Sequence, residues 1–163
     1  MSSHEKILPI IVPQHGIKKV YELNPKIYPG IEKWLFCEYA PTEESLLRAL
    51  AAYSFANNLL SAENENPEIY FTGGTWAGKN DKYGFGAQYL AGIEVQKIWE
   101  NITNKTFPEN IKVSALPGEN LYVQVKNFLK ETNFPSEIAA ITSDYHLPKL
   151  LYYLAKQYQE NIR

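Results

Sequence analysis

Apolar residues along this chain alternate between two regimes. Short runs, Ile7–Val12, Glu68–Thr72, Ile111–Ala115 and Glu137–Thr142, are bounded by turn-forming residues and read as buried strands. Between them lie longer stretches in which apolar positions recur every three or four residues, the period of an amphipathic helix. The clearest runs from Thr42 to Ala62. Thr42 can cap it, Glu43 and Glu44 sit where the helix dipole favours negative charge, and Leu46, Leu47, Leu50, Ala51, Phe55, Leu59 and Leu60 make an apolar stripe. Further helices are predicted over Ala87–Asn101, with Leu90, Ile93, Ile98 and Trp99 available for burial, over Asn120–Thr132, and over Pro148–Gln159.

The punctuation fits this reading. Asn64-Glu65-Asn66-Pro67 breaks the first long helix, Gly73-Gly74 closes the second strand, Thr75–Gly86 reads as an exposed loop, and Pro117-Gly118 makes a turn. Pro9 inside the first run predicts an edge strand or an irregular start. Residues Gln14 to Pro41 form a long connection holding Pro25, Pro29 and Gly30, with a short helix expected near Gly30–Phe36; a connection of that length is a candidate lid. Strands alternating with helices predict an α/β fold: a three-layer, Rossmann-like domain with a mainly parallel sheet and helices on both faces. No linker divides residues 1–163, so a single domain is expected.

Composition narrows the function classes. A net charge of −2 carries no basic footprint for nucleic acid, and 45% hydrophobic with 21% charged residues is ordinary for a globular protein. No run approaches the roughly 18 apolar residues of a membrane span, and the first residues lack a secretion-signal pattern. Cys37 is the only cysteine, which rules out an intrachain disulfide. A cytoplasmic location with no membrane partner is the expectation. His4, His15 and His146 are dispersed and make no metal-ligand spacing, so no metal is expected.

If the strands are parallel, four polar clusters meet at one edge, where open α/β sheets bind ligands. They are Gln14-His15-Gly16, Thr72-Gly73-Gly74-Thr75, Glu119-Asn120 and Ser143-Asp144-Tyr145-His146. Gly73 and Gly74 either let backbone N–H groups approach an anion or simply make a turn. His146 lies near the start of the last helix, where Pro148 suits the first turn. A neutral imidazole is expected there, serving either a ligand or the loop carbonyls. Ser143 and Asp144 either cap that helix or join the site. Their closeness in sequence to His146 argues against a hydrolase triad. Taken alone, Glu94 reads as a solvated helix residue and Arg48 as a snorkelling one. Neither G-x-G-x-x-G after the first strand nor G-x-x-x-x-G-K-[ST] is present, which disfavours an ordinary NAD or ATP site.

Arg48, Gly73-Gly74, Glu94 and the run Thr142-Ser143-Asp144-Tyr145-His146-Leu147-Pro148-Lys149 together resemble the YdcF/SanA/ElyC-like domain of bacterial proteins, over about residues 7–156. The resemblance implies a Rossmann-like domain, and for its soluble members a nucleoside-type ligand such as S-adenosylmethionine. It places His146, Asp144 and Glu94 in catalytic roles. The converging turns and the resemblance together give His15, Arg48, Gly73, Gly74, Thr75, Asn120, Ser143, Tyr145 and Lys149 as candidate ligand contacts, with His15, Thr75 and Asn120 resting on the convergence alone. Three positions depart from the family pattern. Lys149 stands where Arg is usual, Asn120-Leu121-Tyr122-Val123-Gln124 replaces Asn-Thr-x-Glu-Asn, and the first strand ends in Pro13-Gln14-His15-Gly16. The sequence therefore points to a small anionic or nucleoside-like ligand, with hydrolysis or group transfer as candidate reactions. The alternative is a regulatory or protein-interaction domain that keeps the fold with a degenerate site.

Overall fold

The apolar runs become strands and the periodic stretches helices in the computed structural model, which describes residues 6–15, 17–19, 23–24, 26–34, 39–73 and 85–162. In chain order these form β1 (Ile7–Pro13), β2 (Ile17–Lys19), β3 (Tyr39–Pro41), α1 (Glu43–Ser61), β4 (Asn66–Gly73), α2 (Phe85–Leu90) and α3 (Ile93–Thr103). β5 (Lys112–Pro117), α4 (Leu121–Glu131), β6 (Ala139–Ala140) and α5 (Leu147–Ile162) follow. A four-stranded sheet has the order β5-β4-β1-β6, and every pairing in it is parallel.

Alternation along the strands generates three layers. Ile10 pairs in register with Ile69, and Val12 with Phe71, and these four enter one core with α1, α2 and α3. Ile11 pairs with Tyr70 on the opposite face, and these join Val125, Phe128 and Leu129 of α4 and Leu150 and Leu154 of α5. The fold is therefore α/β and Rossmann-like, with helices on both faces. The chain moves outward from β1 to β4 to β5, then returns to place β6 on the other side of β1. The strand order thus reverses between β1 and β6, the position at which such sheets open a crevice.

Several expectations are corrected. β1 is interior to the sheet, not an edge strand. Pro9 is tolerated there because of where its missing N–H would point. Ile141 N donates to Ile11 O, so odd-numbered residues of β1 turn their backbone groups toward β6. β6 pairs only with Ile10 and Ile11, leaving no acceptor opposite Pro9. The last strand is correspondingly two residues long rather than spanning Glu137–Thr142. The helix expected over Ala87–Asn101 is two helices, because Gly92 adopts an extended conformation (φ −82°, ψ 168°) and caps α3. The stripe on α1 is rotated: Ala49, Ala52, Tyr53 and Ala56 are buried, Leu47 is 65% exposed, and Arg48 is buried. Small residues let this helix sit close to the sheet.

The long connection carries more structure than its sequence shows. β2 and β3 pair antiparallel, closing its two ends together, and a 3₁₀ turn spans Ile31–Trp34. Leu23, Tyr28 and Ile31 are buried in the α1–α3 core. Tyr28 Oη donates to Pro41 O, Tyr89 Oη donates to Pro29 O, and Trp34 stacks against Phe85. Gly30, at φ +76°, lies so close to α3 that a Cβ there would meet Glu94 Cγ at 2.5 Å. The described part of the connection is thus docked on α2 and α3.

Candidate functional site

A cavity of about 170 Å³ opens where the strand order reverses. Pro13 and Gln14 leave β1 along one wall, and Thr142 follows β6 along another. Asn120, Leu121 and Gln124 bring the start of α4, His146, Lys149 and Leu150 bring the start of α5, and Arg48 enters from α1. Because parallel strands and their crossover helices run in opposite directions, the starts of α1, α4 and α5 converge on this rim, where the positive ends of the helix dipoles favour an anion.

Behind the cavity wall, Glu44 gathers the polar groups. Its Oε2 accepts from Arg48 Nη2 at 2.9 Å, from Ser143 Oγ at 2.7 Å and from the Tyr145 hydroxyl. Arg48 also donates from Nε to Ser143 Oγ at 3.1 Å and from Nη1 to Pro13 O at 2.9 Å. One ion pair on α1 therefore ties the end of β1 to the turn after β6. The hydrogen bonds from Tyr145 and Ser143 hold the Glu44 carboxyl down to about 2.

His15 extends this network. Its backbone N–H donates to Ser45 Oγ at 2.7 Å, and its carbonyl accepts from Ser45 Oγ at 2.8 Å. Since the Tyr145 hydroxyl donates to Glu44, its oxygen accepts from His15 Nε2 at 2.8 Å, which puts the His15 ring proton on Nε2. The His15 and His146 rings lie 4.9 Å apart. Both titrate below the ordinary histidine value. For each, burial is the main cause and the Arg48 cation adds to it, while Glu44 opposes the shift. Lys149 lowers His146 further. Both rings are therefore neutral at pH 7.

The structure brings together His15, Arg48, Asn120, Ser143, Tyr145, His146 and Lys149. Asp144 is exposed on the same turn. Gly73 lies on the same rim beside Gln14, whose Oε1 would sit 2.4 Å from a Cβ at that position. Gly74 and Thr75 lie outside the described residues. Glu94 is not brought in. It sits on the first turn of α3, bonds to Lys33, and is held ionised chiefly by that hydrogen bond. Asn120 caps α4 by accepting from Val123 N at 3.0 Å. The Gln124 side chain is buried, accepting from Thr72 Oγ1 at 2.9 Å and donating to Gly118 O at 3.2 Å.

Sequence reasoning assigns Glu44 only to the helix dipole. The signal for its larger role is the i,i+4 spacing to Arg48. Thr142 is the other addition: its Oγ1 is buried on the cavity wall without a hydrogen-bond partner among the described residues. Among the described residues no group of three or more His, Cys, Asp or Glu is arranged to hold a metal ion, and no helix is long and apolar enough to cross a membrane. Comparison with protein-family models, with curated proteins and with solved structures finds no match.

Proposed function

We propose that this protein binds a small ligand through an anionic group seated in the crevice between the ends of β1 and β6. The observation that carries this reading is the composition of that crevice. Lys149, a neutral His146 and the starts of α4 and α5 face a single cavity at the strand-order reversal, and Thr142 lines it with its hydroxyl buried in the wall. Arg48 keeps its charge but spends its donors on Glu44, Ser143 and Pro13, so among the described residues Lys149 is the cation best able to meet a ligand. At about 170 Å³ the cavity is smaller than the roughly 300–1,000 Å³ that encloses a drug-sized molecule, so it takes the charged end of a ligand, not the whole of one. The resemblance to the YdcF/SanA/ElyC-like domain supports a nucleoside-type ligand such as S-adenosylmethionine, whose carboxylate suits such a cavity.

If hydrolysis or group transfer follows binding, His146 is the group placed to accept a proton, because it lines the cavity and is neutral at pH 7. A thermal-shift screen with S-adenosylmethionine, nucleotides and sugar phosphates tests the binding. A true ligand at 100 times its dissociation constant adds about 2.7 kcal/mol of stability, and Lys149→Ala abolishes most of the shift. The second reading, a regulatory or protein-interaction domain, is favoured by the use of the Asn120 side chain as a helix cap and of the buried Gln124 side chain in holding Thr72 and Gly118. It is the conclusion if no compound shifts the melting temperature and a protein partner is captured by the native chain.

A further inference from the structure

We propose that Glu44 is a specificity-determining residue that makes the crevice select a singly charged oxyanion, a carboxylate or phosphodiester, over a doubly charged phosphate monoester. The inference rests on the anion-binding reading above and adds the charge of the group that is bound.

Among the described residues that line the cavity or bond directly to its lining, three carry full charge at neutral pH: Arg48, Lys149 and Glu44. Glu44 lies 2.9 Å from the Arg48 guanidinium and cancels it, so one uncompensated cation remains, on Lys149. His15 and His146 contribute no charge. The starts of α4 and α5 add partial positive charge, and Glu119 and Asp144, exposed in those same turns, offset it. A second negative charge on the ligand would find no matching cation among the described residues and would meet the field of Glu44, which lies directly behind Arg48. Glu44 does not line the cavity, so its influence is exerted through these neighbours and through the field.

Replacing Glu44 by glutamine keeps the acceptor for Arg48, Ser143 and Tyr145 while removing the charge, which separates the electrostatic role from the structural one. The probes are dimethyl phosphate, a monoanion at every working pH, and methyl phosphate, a dianion at pH 8. Both are small enough for the cavity, and binding is followed by calorimetry and by the His146 ring resonances. The wild-type protein should bind dimethyl phosphate more tightly than methyl phosphate. Glu44→Gln should shift the ratio of the two affinities toward methyl phosphate by about tenfold, while Glu44→Asp keeps the wild-type ratio. Tighter binding of methyl phosphate by the wild-type protein, or a ratio unchanged in Glu44→Gln, overturns the proposal and leaves the anion site standing. Binding of neither probe to the wild-type protein overturns the anion site itself.

Discussion

At the scale of single residues, the Glu44–Arg48 pair decides how the site is held. Arg48 is 6% exposed and donates to Glu44, Ser143 and Pro13, so Arg48→Ala leaves three acceptors without their donor. The expected cost is about 3 kcal/mol, read from urea denaturation, and Arg48→Lys recovers little of it because an ammonium lacks the planar fork. The same residues fix the acid response. His15 and His146 titrate below 6.5 in the folded protein, and Glu44 titrates near 2 against an ordinary 4.5. In all three cases the unfolded chain binds protons more readily than the folded one. Stability should therefore be full above pH 6.5, decline below it as the histidines charge in the unfolded state, and decline again between about 4.5 and 2. A pH series of melting temperatures checks this, and Glu44→Gln should shrink the lower step, leaving the part that the lowered Glu94 carboxyl contributes. The run from Ser143 to Lys149 announced itself in the sequence as a polar cluster after an apolar strand. Glu44 did not, since an acidic residue in a first helical turn has an ordinary explanation and its hydrogen-bond partners other than Arg48, namely Ser143 and Tyr145, lie in a turn far along the chain.

At the scale of elements, periodicity located the strands and helices well and their boundaries less well. The split between α2 and α3 depends on Gly92, a residue that a helical pattern absorbs without complaint. The short β6 depends on what β1 offers it, which no local signal encodes. In the long connection, Gly30 holds a left-handed conformation against Glu94, and the Lys33–Glu94 bond fastens the adjoining 3₁₀ turn to α3. Gly30→Ala adds a side chain where both the backbone angle and the neighbour oppose it. It should cost about 1–2 kcal/mol and raise the susceptibility of the connection to limited proteolysis while leaving ligand affinity intact. Gly73→Ala should behave in the opposite way. The new methyl group displaces the Gln14 side chain, a wall of the cavity, so binding weakens more than stability.

At the scale of the whole molecule, the sheet separates two cores of unequal size. The larger lies under α1, α2 and α3, while the smaller is built on Ile11 and Tyr70 with Val125, Phe128, Leu129, Leu150 and Leu154. The smaller core carries α4 and α5, whose starts form much of the crevice. Phe128 is fully buried there, and Phe128→Ala should cost about 3–5 kcal/mol in denaturant unfolding. The parallel architecture was legible from alternating strands and helices, and with it the convergence of polar turns on one rim. The reversal of strand order was not, because nothing local distinguishes a crossover on one face of the sheet from a crossover on the other.

That reversal has a kinetic corollary. His15 and Tyr145, which meet through a hydrogen bond behind the crevice, are 130 positions apart, and β1 must wait for β6 before the hollow between them exists. Closing so long a loop is slow relative to local helix formation. Affinity for the ligand should accordingly emerge as one of the last events of refolding, later than the recovery of helical circular dichroism, and only chains that have finished docking α5 will be rescued by ligand from aggregation.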